Sequence, residues 1–166
     1  PLFHPVIAAK QMVTADQAAK LGQWGVSASV QPNFDALWGG ADGMYARRLG
    51  AQRGSRLNPF ALLASQGVPL ALGSDAPVTD FDPWTSVRAA VNHRTPGSGV
   101  SARAAFAAAT RGGWRAAGVR DGKAGTLAPG APASYVLWDA GDLEVHAPRD
   151  TVQRWSIDPR SRVPAL

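Results

Sequence analysis

The strongest constraint on the fold is a pattern that occurs twice, in which a predicted helix ends at a glycine and a short apolar strand follows. The first helix begins at Thr14, whose spacing to Gln17 is that of a capping box, and residues 26–30 form the strand after it. The second helix is predicted over residues 58–66, and the apolar run 68–72 is typical of a strand buried on both faces of a parallel sheet. This alternation predicts βα units, and therefore an α/β fold.

Capping residues place the other helices. Asn58, followed by Pro59, is interpreted as the N-cap of the second helix. Asp82 begins a third helix, and Ser101 caps an alanine-rich helix that reaches about Gly118. These segments predict a helical layer outside the sheet.

Two stretches are predicted to lie outside this helical layer. Residues 34–56 are rich in glycine and aromatic side chains and predict a loop. Residues 133–138 predict a late strand, whereas the tail from residue 148 onward shows little periodicity.

Composition excludes several classes of protein. The 166 residues include no cysteine, so disulfides and thiolate metal sites are excluded, and a metal would need His, Asp, Glu or a modified Lys. No apolar run approaches the roughly 18 residues of a membrane span, and no secretory leader pattern occurs, so we expect a cytoplasmic protein without membrane contact. The net charge of +5 comes largely from singly placed arginines, which predict a solvated basic surface and no nucleic-acid partner.

Polar residues follow both strands, and they identify a candidate site. Gln31 and Asn33 come after the first strand, and Ser74 and Asp75 come after the second. Ligands of parallel βα units gather beyond the carboxyl ends of the strands. An aspartate after a strand is, however, more often a turn or cap residue, because its carboxylate readily accepts backbone N–H groups. Local sequence therefore leaves both readings of Asp75 open.

Five segments, in order, resemble the amidohydrolase superfamily, specifically its metal-dependent hydrolases with an amidohydrolase-like barrel and an attached small β domain. The segments are residues 11–14, 26–32, 70–77, 109–118 and 125–139. Within the last of them, Ser134 stands where an aspartate is usual. The resemblance implies the C-terminal part of an incomplete TIM-like (β/α)8 barrel, with residues 1–122 as the partial barrel and residues 123–166 as a small β segment and tail.

The resemblance also implies a reaction and a role for Asp75. In such enzymes, the aspartate that ends the eighth barrel strand contacts the metal and takes a proton from the attacking water, and Asp75 matches that position. The implied enzyme hydrolyses a non-peptide C–N bond of a small molecule, in an amide, carbamate or cyclic amide, with a divalent metal that we expect to be zinc. The expected substrate contacts from the 34–56 stretch are Trp38, Tyr45, Arg48 and Arg53. Loop packing is the alternative for the two aromatic residues, and solvation for the two arginines.

The chain departs from the family pattern in its metal ligands. No His-x-His pair occurs, and the Glu-His pair usual on the sixth strand falls on Ala8 and Ala9. We interpret residues before Gln11 as replacing or truncating the first five strands. The isolated chain is then expected to be inactive, and its open strand edges to need a separately encoded N-terminal half-barrel or a second copy of the chain. The alternative is a non-catalytic remnant that acts as an α/β interaction module. His93 is expected to be structural, as an imidazolium at the C-terminal end of a helix.

Overall fold

The computed structural model describes residues 5–8 and 12–139, and a small parallel sheet lies at its centre. The strands are β1 (Val6–Ala8), β2 (Ser27–Val30) and β3 (Leu70–Leu72), in the order β1-β2-β3. Both strand pairs are parallel, so the carboxyl ends of all three strands lie at the same edge. The predicted α/β class with a parallel sheet is confirmed.

Helices connect the strands and continue after the last of them. Their bounds are α1 (Ala15–Gln23), α2 (Pro32–Trp38), α3 (Met44–Leu49), α4 (Ala51–Gly54), α5 (Phe60–Ser65), α6 (Pro83–Val91), α7 (Ala102–Ala107) and α8 (Gly113–Ala116), with a π-helical segment, Ala108–Gly112, between α7 and α8. None of the helices in the described part of the chain has both the length and the apolar character needed to cross a bilayer.

Three predicted helix starts are confirmed by their capping hydrogen bonds. The Thr14 hydroxyl accepts the N–H of Gln17 at 3.3 Å, and the Gln17 side chain accepts the Thr14 N–H in return, which completes a capping box. Asp82 and Ser101 accept N–H groups in the same way at the starts of α6 and α7. These helices therefore begin where short polar side chains satisfy otherwise free backbone donors.

The core lies between the sheet and the helices that follow β2 and β3. Ala28 and Val30 of β2 belong to one buried cluster with Phe60 and Leu63 of α5 and with residues of α6. Phe60 and Leu63 are each at most 2% exposed. Burial of side chains of this size stabilises a fold by about 1.5–3 kcal/mol each, so α5 is held mainly by its apolar face.

The outer edge of β3 is approached closely by the π-helical segment. The Gly73 N–H donates to the Val30 carbonyl at 2.9 Å, so in a parallel ladder the carbonyl of Leu70 points away from β2. A Cβ atom at Gly112 would lie 2.2 Å from that Leu70 oxygen. Only glycine fits at position 112, and its absent side chain lets the helix backbone cover part of the strand edge.

The prediction that residues 34–56 form a loop was wrong. The stretch holds most of α2 and all of α3 and α4. Gly43 precedes the first residue of α3, and Gly50, at φ 82°, separates α3 from α4. The glycines therefore mark the boundaries of short helices and not a continuous loop. A helix this short can still form, because its hydrogen bonds are local.

Two further expectations were also wrong. Asn58 is not a helix cap: it has a φ of 53°, and α5 begins at Phe60 after Pro59. Residues 133–138 are largely exposed and form no strand, and Trp138 instead packs against Trp84 of α6 with ring centroids 6.0 Å apart. The alanine-rich helix ends at Ala116, near the expected end. The tail from residue 148 lies outside the described residues, and the proposed division at residue 122 stays a prediction.

Candidate functional site

The two polar strand ends meet at the carboxyl edge of the sheet, as predicted. Asn33, at the start of α2, donates through Nδ2 to the Thr79 hydroxyl at 3.4 Å. That hydroxyl donates in turn to the Ser74 carbonyl at 2.5 Å. Asn33 and Thr79 are both buried, and Asn33 Oδ1 has no hydrogen-bond partner among the described residues. These bonds tie the loop after β3 to the end of β2.

Asp75 occupies a strained position in that loop. Its φ of 57° lies in the left-handed region, which costs an L-residue roughly 1–2 kcal/mol. The turn is closed by other groups, because the Ser74 hydroxyl accepts the Ala76 N–H at 3.3 Å and the Asp75 carbonyl accepts the Val78 N–H at 2.8 Å. The exposed carboxylate of Asp75 makes no hydrogen bond or ion pair within the described part of the chain.

Two aspartates of this chain, Asp82 and Asp121, bond to backbone N–H groups through their carboxylates. The Thr85 hydroxyl and backbone N–H hold the pKa of the Asp82 carboxyl below its usual range. The N–H groups of Ala124 and Lys123 do the same for the pKa of Asp121. Those carboxylates serve the backbone as a cap and a turn residue, whereas the exposed carboxylate of Asp75 bonds to none of the described residues.

A second polar cluster, which the sequence did not reveal, lies buried between α2 and the residues after α6. Asp35 accepts the Arg94 N–H through Oδ2 at 2.6 Å, and its Oδ1 lies 3.4 Å from Nε2 of His93. Nδ1 of His93 accepts the Thr95 N–H at 2.9 Å, and its Nε2 lies 3.0 Å from the Asn58 carbonyl. Nδ1 thus accepts a backbone N–H, and Nε2 faces the Asp35 carboxylate and the Asn58 carbonyl.

The contacts of His93 are structural, as expected. The imidazole faces a carboxylate and a carbonyl in the interior, just after the end of α6. Burial is the largest influence on Asp35 and raises the pKa of its carboxyl, against the opposing effects of the Arg94 N–H and of the charges of His93 and Arg94. The contacts of Asp35 with His93 and Arg94 join α2 to the segment after α6, which is distant in sequence.

The four expected substrate contacts fall into two groups. Trp38 packs against Phe34 with ring centroids 4.8 Å apart and against Tyr45 at 6.2 Å, so the aromatic side chains contact one another. Arg48 of α3 and Arg53 of α4 are exposed. No described contact joins any of the four to Asp75, and their role in binding a substrate stays a prediction.

Asp75 does not belong to a cluster of metal-binding side chains in the described part of the chain. Among residues 5–8 and 12–139, no three His, Asp or Glu side chains come together in a group that could hold a metal ion. Ala8, on which a metal-binding residue of the family pattern falls, is the last residue of β1 and offers only a methyl group. The described residues therefore do not fit a metal centre by themselves.

Comparison with known proteins places this arrangement in a family. A sequence profile of the amidohydrolase family matches residues 3–160. Protein LONG AFTER FAR-RED 3 of Arabidopsis thaliana is 34% identical over 151 residues, which cover 82% of this chain and 25% of that protein. The profile spans nearly the whole sequence, so the chain belongs to the amidohydrolase family, as its motifs indicated.

Two crystal structures are similar to the fold. An uncharacterized metal-dependent hydrolase from Pyrococcus furiosus has a TM-score of 0.68 and 28% sequence identity, covering 79% of this chain and 27% of that one. A second, from Pyrococcus horikoshii OT3, has a TM-score of 0.67 and 27% identity, covering 79% and 28%. The chain thus spans about a quarter of the length of each of these relatives.

Proposed function

We propose that this chain forms the Asp75-bearing part of a metal-dependent hydrolase that cleaves non-peptide C–N bonds of a small molecule. The single observation that carries the proposal is the Asp75 carboxylate, which stands exposed on a strained backbone beyond β3 and takes no part in its own turn. Strained residues at a strand end are a recurrent feature of active sites. Membership of the amidohydrolase family supports the same reaction class.

Asp75 acts in this proposal as the proton acceptor. Water attacks the carbonyl carbon of an amide, carbamate or cyclic amide while its proton passes to the carboxylate, and Asp75 then gives that proton to the nitrogen as the C–N bond breaks. An exposed carboxylate without an internal hydrogen bond is available for both transfers. Asp75 is also the proposed contact to the family's divalent metal, for which we propose zinc, but the described residues do not complete its ligand set.

The three parallel strands are proposed to correspond to strands six to eight of a TIM-like (β/α)8 barrel. Their order, β1-β2-β3, is that of three consecutive barrel strands. The outward-facing backbone groups of β1 then need a neighbouring strand, which an N-terminal half-barrel or a second copy of the chain would supply. We propose that the chain is inactive without such a partner.

A non-catalytic interaction module is the second candidate function. The observation that favours it is that no group of three metal-binding side chains occurs among the described residues, at Asp75 or elsewhere. In that case the chain would keep the family's fold without its chemistry. Zinc binding and complementation separate the two functions.

Complementation tests the hydrolase proposal. The chain is mixed, with zinc, with the portion of the Pyrococcus furiosus hydrolase that lies outside the matched region, and hydrolysis of a panel of amides, carbamates and cyclic amides is measured. We expect neither polypeptide alone to hydrolyse the panel and the mixture to do so. A mixture that binds no zinc and hydrolyses nothing would contradict the proposal and favour the interaction module.

A further inference from the structure

A cavity of about 340 Å³ opens at the end of the sheet opposite Asp75. It is bounded by Ser27 at the start of β2 and by Pro69 just before β3. Pro69 precedes β3 and Asp75 follows it, so the two positions lie beyond opposite ends of that strand. The cavity is therefore distinct from the proposed catalytic edge.

Three arginines line this cavity, and helical geometry explains how they come together. Arg111 and Arg115 are four residues apart on the continuous helix that joins the π-helical segment to α8, so both side chains lie on the same helix face. Arg120 follows the end of that helix. The sequence shows them as isolated charges, and only the folded chain brings them to one cavity.

The charge of the cavity is not neutralised by the described residues. Asp121 is the one acidic side chain in its wall, and its carboxylate accepts the N–H groups of Lys123 and Ala124, each at 2.9 Å. No ion pair to Arg111, Arg115 or Arg120 occurs within the described part of the chain. Three guanidinium groups and one carboxylate leave the wall with a net charge of +2 (3 − 1).

We propose that this cavity binds a small molecule that carries a phosphate group. Guanidinium groups present planar pairs of N–H donors that match phosphate oxygens, which makes arginine clusters suited to phosphate. The volume of about 340 Å³ is in the lower range of small-molecule sites, which start near ~300 Å³. A Cβ atom at Gly25 or Gly122 in the cavity wall would meet no atom within 4 Å, so the space beside these glycines is open.

Calorimetric titration of the chain with inorganic phosphate and with glucose 6-phosphate, at an ionic strength held constant with sodium chloride, tests the proposal. Both probes should bind, and a tighter complex with glucose 6-phosphate would identify an ester as the ligand, whereas equal affinity would identify phosphate alone. Arg111→Gln combined with Arg115→Gln should weaken binding by about tenfold or more, since charge-assisted hydrogen bonds are lost. Arg103→Gln, which changes an exposed arginine outside the cavity, should leave binding unchanged.

A conservative variant keeps the test decisive if the double variant does not fold. Arg115→Lys retains the charge and loses the paired donors, and it should weaken binding by a smaller factor than the double variant. The proposal is overturned if neither probe binds above the sodium chloride control. It is also overturned if Arg115→Lys and the double variant bind like the unchanged chain, or if Arg103→Gln weakens binding as much as they do.

Discussion

Nε2 of His93 lies 3.4 Å from Oδ1 of Asp35, and both side chains are almost completely buried. Gly39 leaves room for this pair, because a Cβ atom at position 39 would lie 2.1 Å from the same Asp35 oxygen. A buried carboxylate has lost its hydration, so it persists only with partners at both oxygens. The pair connects α2, which follows the end of β2, with the segment after α6, and it therefore helps to fix the helices behind the candidate site.

Removal of the Asp35 carboxylate should destabilise the fold. Asp35→Ala leaves the Arg94 N–H without its acceptor and removes the carboxylate beside the His93 ring, whose Nε2 keeps the Asn58 carbonyl as its partner. We expect the free energy of unfolding to fall by about 1–3 kcal/mol. Asp42→Ala, at an exposed turn position, is the matched control and should change it by less than about 0.5 kcal/mol. Urea denaturation measures both. Equal stability of the two variants would show that the buried pair contributes nothing.

The raised pKa of Asp35 predicts a pH dependence with a definite sign. The folded chain holds this proton more tightly than the unfolded chain, whose carboxyl has its ordinary value of 3.8. Its contribution to stability is therefore fully present below pH 3.8 and is lost as the pH rises through the folded pKa. Asp35→Asn does not titrate at this position. As the pH rises from 3.8 through the folded pKa, the free energy of unfolding of the unchanged chain should fall relative to that of Asp35→Asn and then level off. A rise of this difference with pH would contradict the assignment.

The close approach of the π-helical segment to β3 predicts opposite effects at two adjacent glycines. A Cβ atom at Gly112 would clash with the Leu70 carbonyl oxygen at 2.2 Å, so Gly112→Ala should destabilise the fold by about 1–3 kcal/mol. Gly113 has no atom within 4 Å of its Cβ position, and Gly113→Ala should be neutral or stabilising by up to about 1 kcal/mol. Thermal or urea unfolding distinguishes them, and similar losses in both variants would refute this packing.

The Thr79 hydroxyl links the Asp75 loop to the end of β2, so its removal should loosen that loop. Thr79→Val leaves the Ser74 carbonyl and the Asn33 side chain without their partner, at a cost of about 1–3 kcal/mol. Thr79→Ser keeps the hydroxyl and should lose much less stability. Urea denaturation of both variants is the measurement, and a serine variant as unstable as the valine variant would assign the effect to the lost methyl group.

Sequence predicted those parts of the fold that local interactions determine. The helices after Thr14, Asp82 and Ser101 begin as expected, because each cap bonds to an N–H three residues ahead. β2 and β3 were identified from short apolar runs, although both are shorter than predicted. The meeting of the two polar strand ends followed from the parallel arrangement of the sheet.

The remaining features depend on contacts that are distant in sequence. Asp35 and His93 are 58 residues apart, and no spacing rule pairs them. Asn58 resembles a cap locally, but its backbone adopts a positive φ where its carbonyl meets His93. A strand over residues 133–138 needs a neighbouring strand to complete its hydrogen bonds, and apolar alternation alone does not supply one. Long-range partners thus decide the parts that the sequence left open.

The most direct test of the account is the effect of Asp75→Asn on hydrolysis by the complemented mixture. Asparagine keeps the shape of the side chain and cannot accept the proton, so the rate should fall by about 100-fold or more. Asp80→Asn, five residues away on an exposed part of the chain, is the matched control and should hydrolyse the substrate panel at the unchanged rate. An Asp75→Asn mixture as active as the Asp80→Asn mixture would contradict the role assigned to Asp75.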